Sequence, residues 1–236
     1  MSSVKLNWVT PNPEWWMEHI ARSSAPINQK KMEDGELEPG ALLATCADRK
    51  HWSVFQHAYA SVTVDCKLYV AVHLLRHQSF DFQMFSQRYA QVPGSVEDIE
   101  FRLEHPSQRQ SSVEIPMNPA DAKELGLSVY DLNAIEFLQN EYREHLERTY
   151  ELYDKAIKLG IAKESAREIL PVSSPTRIVM TGSVRSWIHF IQARTDRTVV
   201  QKETADVAEK ITKLLAHHFP LVAESFDWKE KENAGQ

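Results

Sequence analysis

Apolar residues recur at helical spacing in several stretches of the chain. The longest such stretch runs from Leu132 to Ile157, and Gly160 follows it as a typical helix-ending residue. The same spacing predicts shorter helices at residues 13–24, 41–49, 67–77, 163–171, 183–194 and 205–219. The predicted buried faces pair Trp16 with Ile20 in the first of these helices, and Leu68 with Val72 and Leu75 in the third.

Two of the predicted helices carry candidate capping residues at their starts. Ser183 directly precedes the helix at 184–194, and a serine there can accept a hydrogen bond from a free backbone amide. Ser128 and Asp131 stand three residues apart before the longest helix, which is the spacing of a capping pair.

Alternation of apolar and polar residues predicts strands between the helices. From Gln56 to Cys66 the alternation puts Val62, Val64 and Cys66 on one face. Further strands are predicted at residues 80–84, 98–105 and 176–182, and loops at 27–40 and 105–120. Long helices with strands distributed between them indicate the α+β class, and no repeat or composition break divides the chain, so we expect one domain over 1–236.

Composition narrows the class of protein. The chain has 236 residues, of which 42% are hydrophobic and 25% charged, as in an ordinary globular protein. No apolar run is long enough to span a membrane, and the start lacks the pattern of a secretion signal, so we expect a cytoplasmic protein, or one of the host cytoplasm if it is viral. A formal charge of −6 argues against a nucleic-acid partner held by phosphate contacts.

Only Cys46 and Cys66 are present, too few for a disulfide framework or a four-cysteine zinc site, and we predict two reduced, buried thiols. His73 and His77 have the i, i+4 spacing of zinc ligands, but the HExxH pattern is absent and no metal site is expected. The chain also lacks a G-x-S-x-G elbow, a dinucleotide-binding glycine motif and a P-loop.

The stretch RHQSFDFQMFSQR, residues 76–88, concentrates hydrogen-bonding side chains where a predicted helix meets a predicted strand. Arg76 and His77 would fall in the last helical turn, and Ser86 and Arg88 would share one face of an extended segment. Arginine forks and neutral donors suit a phosphate-bearing ligand. The alternative is a solvated helix end followed by a polar strand face.

Two later stretches also carry arginines. Arg167 lies in an otherwise apolar turn, AREILP. Arg185 and His189 are i, i+4 on one predicted helix, and Arg194 lies near the end of that helix, where the helix dipole favours a cation. Ordinary helix-surface charges remain the alternative for both stretches.

Together these stretches resemble the flavin-dependent thymidylate synthases. The signature of that family is Arg-His-Arg, seven residues, then Ser-x-Arg, and Arg76, His77, Ser86 and Arg88 match it in identity and spacing. Four further segments are similar in the same order, and the resemblance covers roughly residues 40–210. These segments are HWSVFQH at 51–57, RQSS at 109–112, AREILP at 166–171 and RSWIHFIQAR at 185–194.

The resemblance implies a twisted, mostly antiparallel sheet packed with long helices, and a homotetramer whose active sites lie at subunit junctions. It implies that FAD is reduced by NADPH and that a one-carbon unit from methylenetetrahydrofolate is transferred to dUMP and reduced, giving dTMP. In this family no cysteine attacks the pyrimidine. An arginine, by position Arg194, favours the ionised ring instead, because a fixed cation stabilises developing negative charge.

Residue roles follow from the matched positions. The residues implied to bind dUMP are His73, Arg76, Ser86, Gln87, Arg88, Arg167 and Arg194. The residues implied to face FAD are His51, Ser53, Arg76, His77 and Gln78, with Ser183, Arg185 and His189 supplied by a neighbouring subunit.

Three positions depart from the family pattern. Gln78 stands where the third signature residue is normally arginine, which removes one charge-assisted hydrogen bond worth ~1–3 kcal/mol. Met84 replaces a usual glutamate, and the histidine common after the final arginine is absent, with Thr198 nearest. They motivate a second hypothesis, a flavin- or nucleotide-binding relative with weakened or lost catalysis. An unrelated structural or interaction protein is the third.

Overall fold

The computed structural model describes residues 2–94, 96, 100–116, 118–126 and 131–228. Its centre is a four-stranded sheet in which every neighbouring pair is antiparallel. In spatial order the strands are β1 (Ser3–Val9), β2 (Tyr59–Lys67), β6 (Pro175–Ser183) and β3 (Asp81–Met84). A separate two-stranded ribbon pairs β4 (Arg102–Glu104) with β5 (Ser112–Glu114).

Helices surround the central sheet. The helices before β3 are α1 (Pro13–Ala21), α2 (Pro26–Glu33), α3 (Ala41–Asp48) and α4 (Leu68–Leu74). The later helices are α5 (Pro119–Glu124), α6 (Leu132–Lys158), α7 (Lys163–Ala166), α8 (Val184–Arg194), α9 (Lys202–His218) and α10 (Pro220–Ser225). No helix within the described residues is both long and apolar enough to cross a membrane.

The sheet buries one continuous apolar face. Val62 and Val64 of β2 lie opposite Met180 and Ile178 of β6, and all four side chains are fully buried. Branched and long apolar side chains on neighbouring strands stabilise a sheet by packing across the pair. The predicted strands at 56–66 and 176–182 are thereby confirmed.

Strand β1 was not predicted. Val4, Leu6 and Trp8 alternate with polar residues, but the register against β2 shifts between Leu6 and Trp8 in an irregularity of the bulge type, and Trp8 is 48% exposed. The alternation that marks a strand was therefore present in the sequence, although the irregularity leaves its last apolar residue exposed.

The buried face of α4 differs from the prediction. The buried residues are Val70, Ala71 and Leu74, whereas Val72 is 49% exposed. This seven-residue helix packs against both the sheet and α9, and its length is too short for periodicity to identify the buried side.

The prediction of the buried face of α1 was also wrong, because two carboxylates are buried on that helix. Glu18 is fully buried, where it pairs with Arg22 and accepts hydrogen bonds from the amides of Gly40 (2.6 Å) and Leu43 (3.2 Å) at the start of α3. Glu14 accepts from the amide of Val222 at 2.9 Å, in the first turn of α10. Carboxylates satisfy free amides at helix starts, so their burial is compensated, while Trp16 is left 43% exposed.

Several boundaries also differ from the predictions. Helix α2 occupies part of the predicted loop 27–40, and β5 lies inside the predicted loop 105–120. The predicted strand 98–105 is reduced to β4, and Ile99 lies outside the described residues. The long helix α6 is capped by Asp131, whose carboxylate accepts from the Ala134 amide at 3.1 Å; Ser128, its predicted partner, is also outside the described residues.

Candidate functional site

One face of α8 contacts the turn that carries the first three signature positions, Arg76, His77 and Gln78. We call residues 75–80 the signature turn; it follows α4 and leads into β3. Ser186, Phe190 and Arg194 are spaced four apart and therefore share a helix face. The Ser186 hydroxyl donates to the Ser79 carbonyl at 2.9 Å, and the Phe190 ring meets the His77 ring edge-on at 4.9 Å.

The end of the signature turn is fixed by a close approach to the sheet. The Phe80 ring lies on Gly182 of β6, where an added Cβ would come within 2.5 Å of the Phe80 ring. Phe80 also packs edge-on against Trp187 of α8 at 4.5 Å. Glycine at position 182 therefore makes room for the aromatic ring that anchors the turn.

His77 and Arg194 meet where α8 ends. The Arg194 Nε donates to His77 Nε2 at 2.7 Å, and both side chains are half-buried. Burial and the nearby Arg194 charge lower the pKa of His77 to about 4. Burial, and then the charge of Arg76, lower the pKa of Arg194. The imidazole is therefore neutral at physiological pH, and it accepts a hydrogen bond from a guanidinium.

His73 joins the same neighbourhood from α4. Its Nδ1 lies 3.2 Å from the hydroxyl of Thr204 in α9. Burial lowers the pKa of His73, and the charges of Arg194 and Arg76 lower it further. The structure thus brings together His73, Arg76, His77 and Arg194, which we call the α8 group.

Three arginines of the signature turn and α8 have no carboxylate partner among the described residues. Other arginines of the described chain form ion pairs, among them Arg22, Arg88, Arg102, Arg177 and Arg197. Within the described residues Arg76, Arg185 and Arg194 form none, although Arg194 is half-buried. Uncompensated cations favour an anionic ligand, and the more so where they are partly desolvated, as Arg185 and Arg194 are.

A neighbouring face of α8 carries Arg185 and His189. The His189 ring meets the Trp52 ring edge-on at 4.7 Å, and Trp52 stacks on Phe226 at 5.8 Å. Burial lowers the pKa of His189, as does the charge of Arg185. His51 and Ser53 flank Trp52 along the chain and are exposed, as is Gln78 in the signature turn.

Ser183 caps the N-terminus of α8, as the sequence predicted. Its hydroxyl accepts from the Ser186 amide at 3.3 Å and so caps α8. It is also buried and lies 3.1 Å from the Ser186 hydroxyl. The predicted cap is confirmed, and the hydroxyl of Ser183 is committed to the start of α8.

The second half of the signature lies in a turn, so the prediction of an extended SQR segment was wrong. Strand β3 ends at Met84, and the amides of Tyr89 and Ala90 donate back to the Ser86 carbonyl at 3.2 and 3.0 Å. Such a turn is favoured here because the chain must leave the sheet edge.

Arg88 and Arg167 both contact Glu164. The Arg88 Nε donates to the Glu164 carboxylate at 2.7 Å, and the Arg167 Nε donates to the Glu164 carbonyl at 3.2 Å. The Gln87 Nε2 is buried with no hydrogen-bond partner within the described residues. We call Ser86, Gln87, Arg88 and Arg167 the Glu164 group.

Strand β3 separates the two groups within one chain. Asp81 pairs with Thr181 near the end of β6. The Phe85 amide donates to the backbone carbonyl of Arg177, near the beginning of the same strand. Extended chain from Phe80 to Phe85 spans roughly 15 Å. The α8 group and the Glu164 group therefore lie at opposite ends of the same strand pair.

A cavity of about 720 Å³ lies beside the first residues of β6, against α6 and α9. Its lining includes Tyr69, Phe85, Tyr142, Thr176 and Glu203, and none of the residues predicted to bind dUMP or FAD. Most of its charged side chains already form ion pairs, so we assign the candidate site to the two groups on chemical grounds.

Sequence reasoning missed Trp52, Ser186, Phe190 and Glu164. The four-residue spacing of Ser186, Phe190 and Arg194 could be recognised in the sequence. Their contact with the signature turn could not, because it depends on tertiary packing. Glu164 has no sequence signal, because its contacts with Arg88 and Arg167 depend on tertiary packing.

Comparison with known proteins identifies the class to which this fold and site belong. Residues 5–221 match the model of a family described as "Thymidylate synthase complementing protein". The chain is 35% identical over 210 residues to a "Probable flavin-dependent thymidylate synthase" of Paramecium bursaria Chlorella virus 1, covering 89% of this chain and 88% of that one. It is 34% identical over 217 residues to a "Flavin-dependent thymidylate synthase" of Synechocystis sp., covering 92% and 91%.

The chain therefore belongs to the flavin-dependent thymidylate synthase family, and the predicted resemblance is confirmed. Its fold is similar to that of a "UMP/dUMP methylase PolB from Streptomyces cacaoi bound with 5-Br dUMP", with a TM-score of 0.73 over 96% of this chain and 95% of that one at 22% identity. The α+β class with an antiparallel sheet is confirmed, and the third hypothesis, an unrelated protein, is wrong.

Proposed function

We propose that this protein catalyses the reductive methylation of dUMP to dTMP, with bound FAD, methylenetetrahydrofolate as carbon donor and NADPH as reductant. Membership of the family supports the reaction class. The observation that carries the proposal is the set of arginines at the signature turn and α8 without an ion-pair partner in the described chain, Arg76, Arg185 and Arg194, since both dUMP and FAD are phosphate-bearing anions.

Arg194 is the proposed catalytic residue. The reaction removes the C5 proton of dUMP, adds the methylene carbon there and reduces it to a methyl group. Negative charge develops on the pyrimidine as C5 becomes nucleophilic. A half-buried guanidinium stabilises that charge better than a solvated one, because the surrounding protein screens it less.

The remaining dUMP contacts are proposed for both groups. In the α8 group, Arg76 supplies a second cation and His73 supplies a ring nitrogen. In the Glu164 group, the unpartnered Gln87 amide is a donor available to a ligand, and Arg88 and Arg167 suit the phosphate. Met84 is half-buried and offers no acceptor at its position.

The residues around Trp52 fit a flavin cofactor. Arg185 supplies an uncompensated cation for the diphosphate, and exposed Ser53, His51 and His189 supply polar groups beside Trp52, with Gln78 exposed in the signature turn. Trp52 gives this surface an aromatic wall, and Ser183 acts by capping α8. When bound, the flavin supplies the hydride that reduces the transferred carbon.

We further propose that each active site combines the α8 group of one subunit with the Glu164 group of another, in a homotetramer. The separation of the two groups along β3 supports this proposal. Exposed apolar residues on α6 support it as well, since Phe137, Leu138 and Leu152 are over half exposed and Leu138 was predicted to be buried.

Flavin binding tests this function first. We expect purified protein to bind FAD with the usual flavin absorbance bands, to perturb those bands on adding dUMP, and to release tritium from C5-labelled dUMP with folate and NADPH. Failure to bind flavin under any condition would refute the proposal. Flavin and dUMP binding without tritium release would favour the second hypothesis, a relative that has lost catalysis.

The two cysteines should be dispensable for the reaction. Both are free and buried, as predicted, and burial raises the pKa of the Cys66 thiol to about 12, with the Asp65 charge contributing. Thiolates are the nucleophilic form of cysteine, so neither residue is suited to attack. We expect Cys46→Ala with Cys66→Ala to keep dTMP formation within about two-fold while losing ~1 kcal/mol of stability per site. Loss of turnover in a variant that keeps the wild-type circular dichroism spectrum would point to a thiol mechanism.

A further inference from the structure

We propose that His77 is a positioning residue that holds the Arg194 guanidinium through its Nε2 lone pair. The inference rests on the function proposed above and adds a role for His77 beyond facing the cofactor. The carrying observation is the 2.7 Å hydrogen bond from Arg194 Nε.

The hydrogen bond to His77 leaves the two terminal amino groups of the Arg194 guanidinium available for a ligand. The bond to His77 uses Nε, which leaves the two terminal nitrogens of Arg194 outside this contact. A guanidinium held at Nε keeps its two terminal amino groups for a planar acceptor such as a pyrimidine edge. Holding the arginine before substrate arrives lowers the entropic cost of placing it.

The acceptor itself is fixed from two sides. Phe190 meets the His77 ring edge-on at 4.9 Å, and Phe80 does so at 6.4 Å. The Ser79 carbonyl, two residues on, is tied to α8 by Ser186. The imidazole is therefore oriented by the same face of α8 that ends in Arg194.

The role requires a neutral His77 ring with its proton on Nδ1, because a protonated Nε2 cannot accept. The charged and titratable groups around it are Arg194 on α8, Arg76 on its own turn and His73 on α4, with Glu203 of α9 acting on His73. The nearest charges are cationic, so they disfavour a second positive charge on His77. Protonating His77 would break the bond and place two cations against each other.

Histidine-labelled protein allows a test that does not depend on turnover. We expect the His77 signal, assigned by its loss in His77→Gln, to report the Nδ1–H tautomer and to remain neutral well below the titration of an ordinary histidine. In Arg194→Gln the pKa of His77 should rise, because one neighbouring cation is gone. An Nε2–H tautomer, or titration unchanged by Arg194→Gln, would overturn the proposal whether or not the enzyme proves active.

Kinetics of two matched variants provide the second test. His77→Gln keeps an acceptor in reach of Arg194, whereas His77→Phe keeps a ring and removes the acceptor. We expect His77→Phe to lower kcat/KM for dUMP by about 10- to 100-fold with flavin retained, and His77→Gln to lose at least several-fold less. In an Arg194→Ala background, His77→Phe should cost nothing further.

Three results would overturn the positioning role. One is equal impairment of His77→Gln and His77→Phe, which would mean that the acceptor is not what matters. Another is full additivity with Arg194→Ala. The third is flavin loss as the sole defect of His77→Phe, which would leave His77 as a cofactor contact only.

Discussion

Replacing Arg194 with alanine should lower dTMP formation by about 100- to 1000-fold while FAD remains bound, a loss typical of removing a group that stabilises transition-state charge. Arg194 is half-buried and is held at Nε by His77, whereas the neighbouring cation Arg76 lies on the exposed part of the signature turn. The measurement is tritium release at saturating dUMP, with the flavin spectrum recorded on the same sample.

Arg197→Ala is the matched control for that experiment. Arg197 lies three residues further on, is solvent-exposed, and pairs with Asp206 and Glu209 at 2.7 Å. Surface ion pairs contribute little, so turnover should stay near wild type and stability should change by less than ~1 kcal/mol. Near-normal turnover of Arg194→Ala, with Arg197→Ala also unaffected, would show that the charge of Arg194 is not needed.

Two inactive variants should restore each other's activity when they assemble together. Arg194→Ala removes one cation of the α8 group, and Arg88→Ala removes one from the Glu164 group. If each site takes its groups from two different subunits, random co-assembly leaves about a quarter of the sites intact. Co-expression with two affinity tags, followed by purification of mixed oligomers, would allow the recovered rate to be measured per flavin.

Co-assembly of Arg194→Ala with Arg76→Ala is the control for this result. Both residues belong to the α8 group of one chain, so every site would lack one of them and no recovery is expected. Recovery in both mixtures, or in neither, would contradict the proposed division of the site between subunits.

Local sequence signals predicted much of the fold. Strands β2 and β6 and helix α8 with its Ser183 cap were predictable, because alternation or a capping residue stands within the element itself. The buried sides of α1 and α4 were not predictable. In α1, Glu14 and Glu18 are buried by partners in α10 and α3 that lie far away in the sequence.

The sequence predicted which residues belong to the candidate site, but it did not predict how they are arranged in space. The signature and the later arginines were readable from the sequence, and the structure unites Arg76, His77 and Arg194. The separation of Ser86 and Arg88 from them depends on the register of β3 against β6, which no local pattern encodes.

Strand β3 gives a physical meaning to the seven-residue spacing of the signature. Residues 79–85 contain a turn and a strand whose register is fixed by pairing with β6. One inserted or deleted residue would slip that register and reverse the faces of the strand. The number of residues between the two halves of the signature is therefore fixed by the pairing of β3 with β6. This interval can tolerate a changed side chain, such as Met84, more readily than an inserted or deleted residue.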